Sequence, residues 1–517
     1  MSNMDELIRE LNERKAKLRE GGGEKAAEKQ RQSGKLTARE RLDAFFDPGT
    51  FLEYDLFAKH IGTDYGLDKA ELPADGVVTG AGKVDGRDVF AYSEDFTVVA
   101  GTFGARHGKK IAKTIELAQR MGCPVVGMND SGGARVTEQM GALSGYSDLF
   151  FRQIRASGVI PQIALVMGPV AGGQAYSPGM MDFIFMVEKT SYMFIAGPPL
   201  VEAVVFQKTT NEELGAPEMH EKVSGVCDLV AEDDVDCLRR ARVLLGYLPA
   251  NCREKPPRLP PTDNPHRHTA RLREIILTEP RKPYDMHDVI AEVVDNEEFF
   301  EIKPAYAANL IVGFARLDGY PVGVVANNPI VKAGCLDVDT SSKGARFIRF
   351  CDAFHIPLVS LQDNPGYLVG RQMERQGIIR QGGKMLFAFG EATVPKITVV
   401  LRKAYAGGYL AMCSKELGAD FVFSLPTAEI ALMGAEGAVN VLFRKELGAA
   451  ENPEALRRER VQEFRERYVN PYYSAALQHV DDIIDPQDIR PTLIRALELS
   501  LQKQDELPRK KHGNMPV

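Results

Sequence analysis

The sequence predicts an α/β protein built from two tandem copies of one domain, and three observations lead to this prediction. The first is the length, because 517 residues exceed one typical domain. The second is an internal repeat that keeps its order along the two halves of the chain. The third is a local order of apolar strand, glycine-containing turn and helix that occurs twice in each half. This order is typical of stacked ββα units.

The repeat is clearest in two pairs of segments. GKVDGRDVFAYSED at 82–95 corresponds to ARLDGYPVGVVANN at 315–328. ALVMGPVAGGQAY at 164–176 corresponds to TVVLRKAYAGGYL at 398–410. The first pair places an Asp-Gly dipeptide between two runs of strand-forming residues, which predicts a β-hairpin in each copy. The second pair predicts a buried strand that ends in a Gly-Gly turn and opens a helix.

The spacing between the copies is nearly constant. Asp130 matches Asp363 at a shift of 233 residues. We pair the glycines 172–173 with the glycines 407–408 at a shift of 235. Chance similarity seldom preserves both order and spacing, so we interpret the chain as a duplication.

Three segments lie outside the repeated pattern. The proline-rich, polar segment 248–268 is typical of a linker. The first 45 residues show a helix–loop–helix pattern with three glycines at 21–23 and a capping box from Thr37 to Glu40. From about residue 450 the chain is charged and helical, with charge runs that favour solvated helix faces.

Composition excludes several classes of function. The net charge of −7 gives no reason to expect a nucleic-acid partner. No apolar run approaches the roughly 20 residues of a membrane helix, and the amino-terminal segment has no apolar signal core. We therefore expect a soluble, cytoplasmic protein with no direct membrane insertion. The seven cysteines are scattered and never form a C-x-x-C pair, so we expect reduced thiols and no metal site.

The two Gly-Gly turns admit a structural and a functional interpretation. A glycine pair after a buried strand can serve only to make a tight turn. It can also aim backbone N–H groups at a developing negative charge beside a helix N-terminus. Each well-placed donor of such an oxyanion hole lowers a barrier by about 3–4 kcal/mol. Duplication favours function, because a reaction with two carbonyl-derived oxyanions would use both turns. The predicted catalytic residues are Gly172, Gly173, Gly407 and Gly408.

Valine at Gly173 or Gly408 is expected to leave folding largely intact and to slow the reaction by orders of magnitude.

Several segments resemble the carboxyltransferase (β) subunit of biotin-dependent acyl-CoA carboxylases, along nearly the whole chain. They are GKLTARERLDAFFDPGTF, NDSGGAR, GVIPQIALVMGPVAGGQAYSP, SSKGARFIRFCDAFHIPL, RKAYAGGYLAM, PTAEIALMGAEGAVNVLFRKEL and RKKHGNMPV. The resemblance implies two crotonase-like domains, each a ββα superhelix of the ClpP/crotonase type. It assigns 1–255 to an N-terminal carboxyltransferase domain on the acyl-CoA side and 270–517 to a C-terminal carboxyltransferase domain on the biotin side.

The resemblance also implies which ligand oxygen each glycine turn binds. The pair 407–408 would bind the biotin ureido oxygen, and the pair 172–173 would bind the thioester oxygen, with biotin itself taking the substrate proton. It implies a ring-shaped hexamer in which the N-terminal domain of one subunit faces the C-terminal domain of a neighbour. The expected contacts with the coenzyme A thioester are Ser131, Gly132, Gly133, Ala134, Tyr176 and Leu410.

The acyl group is less clearly indicated than the family. Propionyl-CoA carboxylases typically carry Asp at the position of Leu410, two residues past Gly408. The transcarboxylase subunit resembles YLAM at this place, whereas the segment 364–385 is similar to methylcrotonyl-CoA carboxylases. We expect a preference for propionyl-CoA giving methylmalonyl-CoA, then acetyl-CoA, then a methylcrotonyl-like substrate.

The sequence also indicates that a partner is needed. There is no A-M-K-M-like biotin attachment site and no ATP-grasp region, and NDSGGAR lacks the Lys-Ser/Thr of a P-loop. Biotin would therefore be carried and charged on a biotin carboxylase or biotin carboxyl carrier subunit, or within a decarboxylase complex. The sequence leaves the direction of carboxyl transfer open, because a methylmalonyl-CoA decarboxylase or transcarboxylase subunit would run the same transfer in reverse.

Other classes fit less well. A hydrolase at Ser177 lacks the G-x-S-x-G elbow. A crotonase-type hydratase or isomerase needs a carboxylate near the hole, and the residues directly after the two glycine pairs supply none. An inactive scaffold subunit is a further alternative, although both Gly-Gly turns are intact.

Overall fold

The computed structural model describes residues 3–279 and 282–516. They divide into two compact units, and the boundary, between Glu254 and Lys255, falls within the proline-rich segment 248–268. Each unit is built on one mixed sheet, which in the described residues has eight strands. The prediction of an α/β protein with two copies of one domain is confirmed.

The first unit alternates strands with helices after an amino-terminal group of three helices. Its strands are β1 (Leu52–Tyr54), β2 (Val77–Val84), β3 (Arg87–Glu94), β4 (Val125–Ser131), β5 (Gln162–Ala171), β6 (Phe183–Val187), β7 (Tyr192–Phe194) and β8 (Leu229–Ala231). Its helices are α1 (Met4–Arg19), α2 (Glu24–Gln32), α3 (Ala38–Phe45), α4 (Ala105–Met121), α5 (Met140–Ala156), α6 (Tyr176–Met180), α7 (Pro198–Val205), α8 (Asn211–Gly215), α9 (Pro217–Met219) and α10 (Asp234–Tyr247).

The second unit repeats this order and ends in additional helices. Its strands are β9 (Phe299–Ile302), β10 (Leu310–Leu317), β11 (Tyr320–Asn327), β12 (Leu358–Asn364), β13 (Lys396–Tyr405), β14 (Phe421–Ser424), β15 (Glu429–Ala431) and β16 (Asp482–Ile483). Its helices are α11 (Leu272–Ile275), α12 (Met286–Val293), α13 (Val338–Ala353), α14 (Arg371–Arg375), α15 (Ile378–Glu391), α16 (Ala406–Ala411), α17 (Ala435–Leu442), α18 (Arg444–Ala449), α19 (Pro453–Tyr468), α20 (Pro471–Ala476) and α21 (Ile489–Ser500).

The two sheets share one topology. The strand order is β1-β2-β3-β4-β5-β6-β8 in the first unit, with β7 on β5. It is β9-β10-β11-β12-β13-β14-β16 in the second, with β15 on β13. In each sheet the first three strands pair antiparallel and the later strands pair parallel. The parallel strands are buried on both faces, which explains why they read as continuous apolar runs.

The hairpins form where the Asp-Gly dipeptides predicted them. Val84 pairs with Arg87 across the first turn, and Leu317 pairs with Tyr320 across the second. The turn residues have positive φ in both copies, at 51° for Asp85 and 50° for Asp318. Two-residue turns with this geometry match the twist of the flanking strands.

A buried lysine is repeated in the two units. Lys110 of α4 donates through Nζ to the carbonyls of Ala74 and Val77. Lys343 of α13, 233 residues later, donates to two loop carbonyls of its own unit, each at 2.8 Å. Each lysine therefore ties the helix after the hairpin to the segment that leads from the first strand of its sheet into the second.

The amino-terminal helices agree with the predicted caps. The side chain of Thr37 accepts from the backbone N–H of Glu40, and the Glu40 side chain accepts from the backbone N–H of Thr37, which completes the capping box of α3. No helix among the described residues is long and apolar enough to cross a membrane.

Candidate active site

Each glycine turn joins the end of a ten-residue strand to the start of a helix. In the first unit β5 ends at Ala171, a 3-10 turn spans Gly172–Ala175, and α6 follows at once. In the second unit β13 ends at Tyr405 and α16 begins with the next residue. The predicted order of buried strand, glycine turn and helix is confirmed in both units.

The structure corrects the pairing of the two turns. The last residues of the two strands, Ala171 and Tyr405, are 234 residues apart, and each pairs in parallel with the short strand beside it. Gly172 therefore corresponds to Ala406, and both have positive φ, at 67° and 49°. Gly173 corresponds to Gly407. The pairing at a shift of 235 is wrong by one residue. The equivalent residues are those that follow the ends of the two strands, at a shift of 234, and they are not the two Gly-Gly dipeptides aligned with each other.

Backbone N–H groups are available at both turns. The first N–H groups of a helix have no acceptor within the helix and carry the positive end of its dipole. Gly173 and Gly407 stand at this place, and both are half-buried, so a ligand oxygen can reach them. An anionic oxygen is the group that such a turn binds best.

Gly408 differs from Gly173 and Gly407 because it is buried and packs closely against the loop that follows β12. A Cβ at this position would lie 2.7 Å from Asn364 Nδ2 and 2.8 Å from the Cα of Gly366. The backbone at Gly366 cannot yield as a side chain can, so the expectation that valine at 408 leaves folding intact is wrong. The nearest atoms to a Cβ at Gly173 would be those of the Tyr146 ring, at 3.3 Å, and no backbone atom lies as close as that.

The loop that follows β4 lies against the first turn. Ser131 Oγ donates to the carbonyl of Gly101 at 2.7 Å and accepts from the N–H of Gly133 at 3.2 Å. Gly133 has φ of 97°, and a Cβ there would lie 2.9 Å from the carbonyl oxygen of Ala171. The structure thus brings residues 131–134 beside the pair 172–173. Glycine at 133 is required by both the φ and the close approach.

The other two predicted contact residues are more exposed. Tyr176 is the first residue of α6, is 54% exposed, and meets Phe150 edge-on with ring centroids 6.3 Å apart. Leu410 lies on α16 of the second unit and is 41% exposed.

A buried network beneath the first turn was not predicted. Gln174, directly after the glycine pair, donates through Nε2 to Glu94 Oε1 at 2.7 Å. Glu94 Oε2 accepts from the N–H of Asp130 at 2.9 Å, and His107 Nε2 lies 3.2 Å from Glu94 Oε1. The side chains of Glu94, His107 and Gln174 are fully buried. One feature of the sequence could have revealed this network: Glu94 is a charged residue at the end of the strand-forming run VFAYSE.

Burial dominates the electrostatics of this network. It raises the pKa of Glu94 to about 8 and lowers the pKa of His107 to about 3. Both shifts favour the uncharged form of each side chain, as expected for groups removed from water.

A buried aspartate lies behind the turn in each unit, with different partners. Asp130 accepts from Lys35 Nζ at 2.9 Å and from Arg41 of α3 at 3.0 Å, and Arg41 also donates to the carbonyl of Met167. Asp363 instead accepts from Arg402 of β13 at 2.8 Å. Each buried pair fixes the strand that leads into the glycine turn.

No group of three His, Cys, Asp or Glu side chains within 3–279 and 282–516 is placed to hold a metal ion.

Comparison with known proteins decides the family. The profile of the carboxyl transferase domain matches residues 29–515. The chain belongs to the carboxyl transferase domain family. The resemblance noted from the sequence motifs is confirmed.

Relatives in the carboxyl transferase family match the chain over at least 99% of its length. The methylmalonyl-CoA decarboxylase subunit alpha of Veillonella parvula is 50% identical over 517 residues, which cover 100% of both chains. The carboxyltransferase subunit of the propionyl-CoA carboxylase of Haloferax mediterranei is 49% identical over 514 residues, covering 99% of this chain and 100% of the relative.

A solved carboxyl transferase structure matches equally well. The transcarboxylase 12S hexamer with methylmalonyl-coenzyme A and methylmalonic acid bound superposes with a TM-score of 0.98 at 49% identity. The match covers 100% of this chain and 99% of that one. The predicted crotonase-like fold is confirmed by this match, and the chain is a carboxyltransferase enzyme.

Proposed function

We propose that this carboxyltransferase moves a carboxyl group between carboxybiotin on a partner protein and the α-carbon of propionyl-CoA, giving methylmalonyl-CoA. The observation that carries the proposal is the pair of equivalent turns, one in each unit, where a helix begins with reachable N–H groups at Gly173 and Gly407. Relatives named for propionyl-CoA and methylmalonyl-CoA, about half identical over the full length, support this choice of acyl group.

In the first unit the turn would bind the acyl thioester. The N–H groups of Gly172 and Gly173 would donate to the thioester oxygen as negative charge develops on it, and each donor would be worth about 3–4 kcal/mol in the transition state. The loop 131–134 and Tyr176 would bind the rest of the coenzyme A thioester. The contact between Gly133 and the Ala171 carbonyl supports this arrangement, because it fixes the loop beside the turn.

In the second unit the turn would bind the ureido oxygen of biotin. Biotin, carried on the partner, supplies the transferable carboxyl group and accepts the substrate proton. The residues fit such a group, because Gly407 has no side chain and only the ring of Tyr367 lies near the place of its Cβ, at 3.5 Å. The N–H groups of Gly407 and Gly408 would donate to that oxygen. Leu410, one turn further on, would contact the acyl group.

We infer that the working enzyme is a hexamer. Each unit carries one turn, so 1–255 on the acyl-CoA side would work with 270–517 on the biotin side of a neighbouring copy. The hexamer named for transcarboxylase 12S supports this assembly. The partner would be a biotin carboxylase or biotin carboxyl carrier subunit, and a cytoplasmic location stays a prediction.

The function is tested by a partial reaction with the purified chain. Methylmalonyl-CoA and free biotin are incubated, and propionyl-CoA is followed by liquid chromatography. We expect turnover by the wild type and a loss of 100-fold or more in Gly173→Ala and Gly407→Ala. The matched control is Gly179→Ala, because a Cβ at this glycine of α6 would meet no atom within 4 Å. Absence of propionyl-CoA with the folded wild type would contradict the proposal.

A second candidate is a subunit of a methylmalonyl-CoA decarboxylase, which would run the transfer in reverse. The 50% identity to the Veillonella parvula subunit favours it. The native complex decides between the two. ATP-dependent incorporation of labelled bicarbonate into propionyl-CoA indicates the carboxylase, and ATP-independent release of CO2 from methylmalonyl-CoA indicates the decarboxylase.

A further inference from the structure

We propose that Glu94 is a positioning residue that holds both loops of the thioester site in register through Gln174 and the N–H of Asp130. The inference rests on the proposed function of the first unit, and it deepens it by naming what keeps the donors of Gly172 and Gly173 in place.

The carboxyl group of Glu94 links two loops that are distant in the chain. One oxygen accepts from Gln174 Nε2 at 2.7 Å, and Gln174 is the residue directly after the glycine pair. The other oxygen accepts from the N–H of Asp130 at 2.9 Å, directly before Ser131 and the loop 131–134. One side chain therefore spans the glycine turn and the loop beside it.

The Asp130 contact fills a gap in the sheet. The register between β4 and β5 shifts between Asn129 and Ser131, so the regular ladder is interrupted at the residue between them. A buried N–H without an acceptor is costly, and Glu94 supplies the acceptor from β3. The irregularity that releases the loop 131–134 from the sheet is thus stabilised by the side chain that also binds Gln174.

The hydrogen bonds of His107 define which atoms carry protons. Its Nδ1 lies 2.9 Å from the carbonyl oxygen of Asp75, which can only accept, so Nδ1 carries the hydrogen. The neutral ring then presents a lone pair at Nε2, 3.2 Å from Glu94 Oε1. A proton must lie between these two atoms, and the raised pKa of Glu94 agrees with a protonated carboxyl that donates to His107.

The glycine turn of the second unit is held by different hydrogen bonds, and no carboxyl group takes the place of Glu94. At the place of Glu94 it has Asn327, whose Oδ1 has no partner among the described residues. At the place of Gln174 it has Gly408, whose carbonyl accepts from Gln362 Nε2 of β12 at 3.2 Å. The carboxyl support is therefore specific to the turn that we assign to the thioester.

Glu94 acts through other residues and not on the substrate. It is fully buried beneath the turn, and each contact described above is to a protein group. Loss of the carboxyl group should move the N–H donors of 172–173 relative to the loop 131–134. Misplaced donors lower kcat and leave substrate affinity nearly unchanged, because the donors act mainly in the transition state.

The test compares apolar and conservative variants in the free-biotin assay. Glu94→Met removes both hydrogen bonds of the link and Gln174→Met removes one of them. For both variants we expect kcat to fall at least tenfold while KM for methylmalonyl-CoA changes less than twofold. Glu94→Gln should stay within about threefold of the wild-type kcat. Its amide can donate to His107 and accept from Asp130 N–H, and Gln174 Oε1, which has no partner among the described residues, can turn to accept.

Ser93→Ala is the matched control. Ser93 is buried on the same strand, and its hydroxyl has no partner within 3–279 and 282–516, so its removal should leave kcat unchanged. The infrared carbonyl stretch of bound propionyl-CoA gives a second readout. Its shift to lower frequency should persist in Glu94→Gln and shrink in both methionine variants.

Several outcomes would overturn the inference while the wild type is active. They are wild-type kcat in both folded methionine variants, an equal loss of kcat in Glu94→Gln, and loss of folding in both methionine variants, which would make the link structural only. If one methionine variant does not fold, the kcat of the other decides whether the inference holds. A wild type without transfer would overturn the proposed function and this inference together.

Discussion

Gly172 and Ala406 occupy the same place in the two units, and both have left-handed backbone conformations. Each directly follows a ten-residue strand, with φ of 67° at Gly172 and 49° at Ala406. Only glycine adopts this conformation without a penalty from its side chain. The second unit therefore stores strain at a turn where the first unit stores none.

Exchange of glycine and alanine at this turn should have opposite effects in the two units. We expect Gly172→Ala to destabilise its unit by about 1 kcal/mol because the new Cβ is strained. Ala406→Gly should stabilise its unit slightly, by about 0.5 kcal/mol, because relief of strain exceeds the entropy gained by the unfolded chain. Thermal unfolding midpoints of the two variants check the signs, with Gly179→Ala as the control. Shifts of the same sign in both would contradict this account.

Alanine at Gly173 and alanine at Gly408 should both lower activity but should differ in their effect on stability. In Gly173→Ala the atoms nearest to the new methyl group belong to the Tyr146 side chain, at 3.3 Å, and a small shift of that ring accommodates it, so the unfolding midpoint should fall less than in Gly408→Ala while transfer is lost. In Gly408→Ala the new methyl group would meet the backbone of Gly366 at 2.8 Å, so both the midpoint and the activity should fall. Calorimetry beside the free-biotin assay measures the two effects. An unchanged midpoint in Gly408→Ala would disprove the packing role.

The buried Glu94 should make stability depend on pH. Burial raises its pKa from 4.5 to about 8, so the folded protein keeps a proton that the unfolded chain loses. The stabilisation is complete below pH 4.5 and is lost as pH rises through 8. Burial lowers the pKa of His107 from 6.5 to about 3, so its folded form is neutral above pH 6.5, while in the unfolded chain it is half protonated at pH 6.5 and loses that charge as pH rises. Wild type and Glu94→Gln both contain His107, so the difference between the two proteins from pH 6.5 to 8 isolates the effect of Glu94.

We expect wild-type stability to fall relative to Glu94→Gln in this window by at most about 1.4 kcal/mol per pH unit. Asp130 and Arg41, whose charges also act on Glu94, are present in both proteins. Urea unfolding at pH 6.5, 7.2 and 8 compares the two proteins. If the free energy of unfolding depends on pH in the same way in wild type and in Glu94→Gln, Glu94 is already ionised in the folded state at pH 6.5.

Replacement of the repeated lysine tests its hydrogen bonds. Lys343→Met removes the donor to two backbone carbonyls in a buried site and should destabilise the second unit by about 1–3 kcal/mol. Lys445→Met is the control, because Lys445 is exposed on α18. Chemical unfolding of both variants gives the comparison. Equal midpoints for the two would show that the buried Nζ contributes no net stability.

Leu410 is predicted to help choose the acyl group. It is 41% exposed two residues past Gly408, and an apolar side chain there favours short apolar acyl chains. Leu410→Asp should change the ranking of propionyl-CoA, acetyl-CoA and methylcrotonyl-CoA in kcat/KM, by about 1–3 kcal/mol in the free energy of discrimination. The three thioesters are compared in wild type and variant under the same conditions. An unchanged ranking would show that specificity lies elsewhere.

The sequence by itself determined the features that depend on local patterns. The Asp-Gly hairpins, the capping box at Thr37 and the strand–glycine–helix order follow from residues close together in the chain, and the duplication follows from the recurrence of these patterns in the second half. Such features depend on backbone geometry within a few residues, so the letters alone predict them. The family likewise followed from motifs that the chain carries along nearly its whole length.

Only the tertiary structure decided how the two copies differ. The match of Gly172 to Ala406 follows from where two strands end. The aspartate behind each turn takes its arginine from α3 in one unit and from β13 in the other, as Arg41 and Arg402 show. The link from Glu94 to Gln174 joins residues 80 positions apart. Contacts of this kind depend on which elements pack together, and no local pattern in the chain encodes that packing.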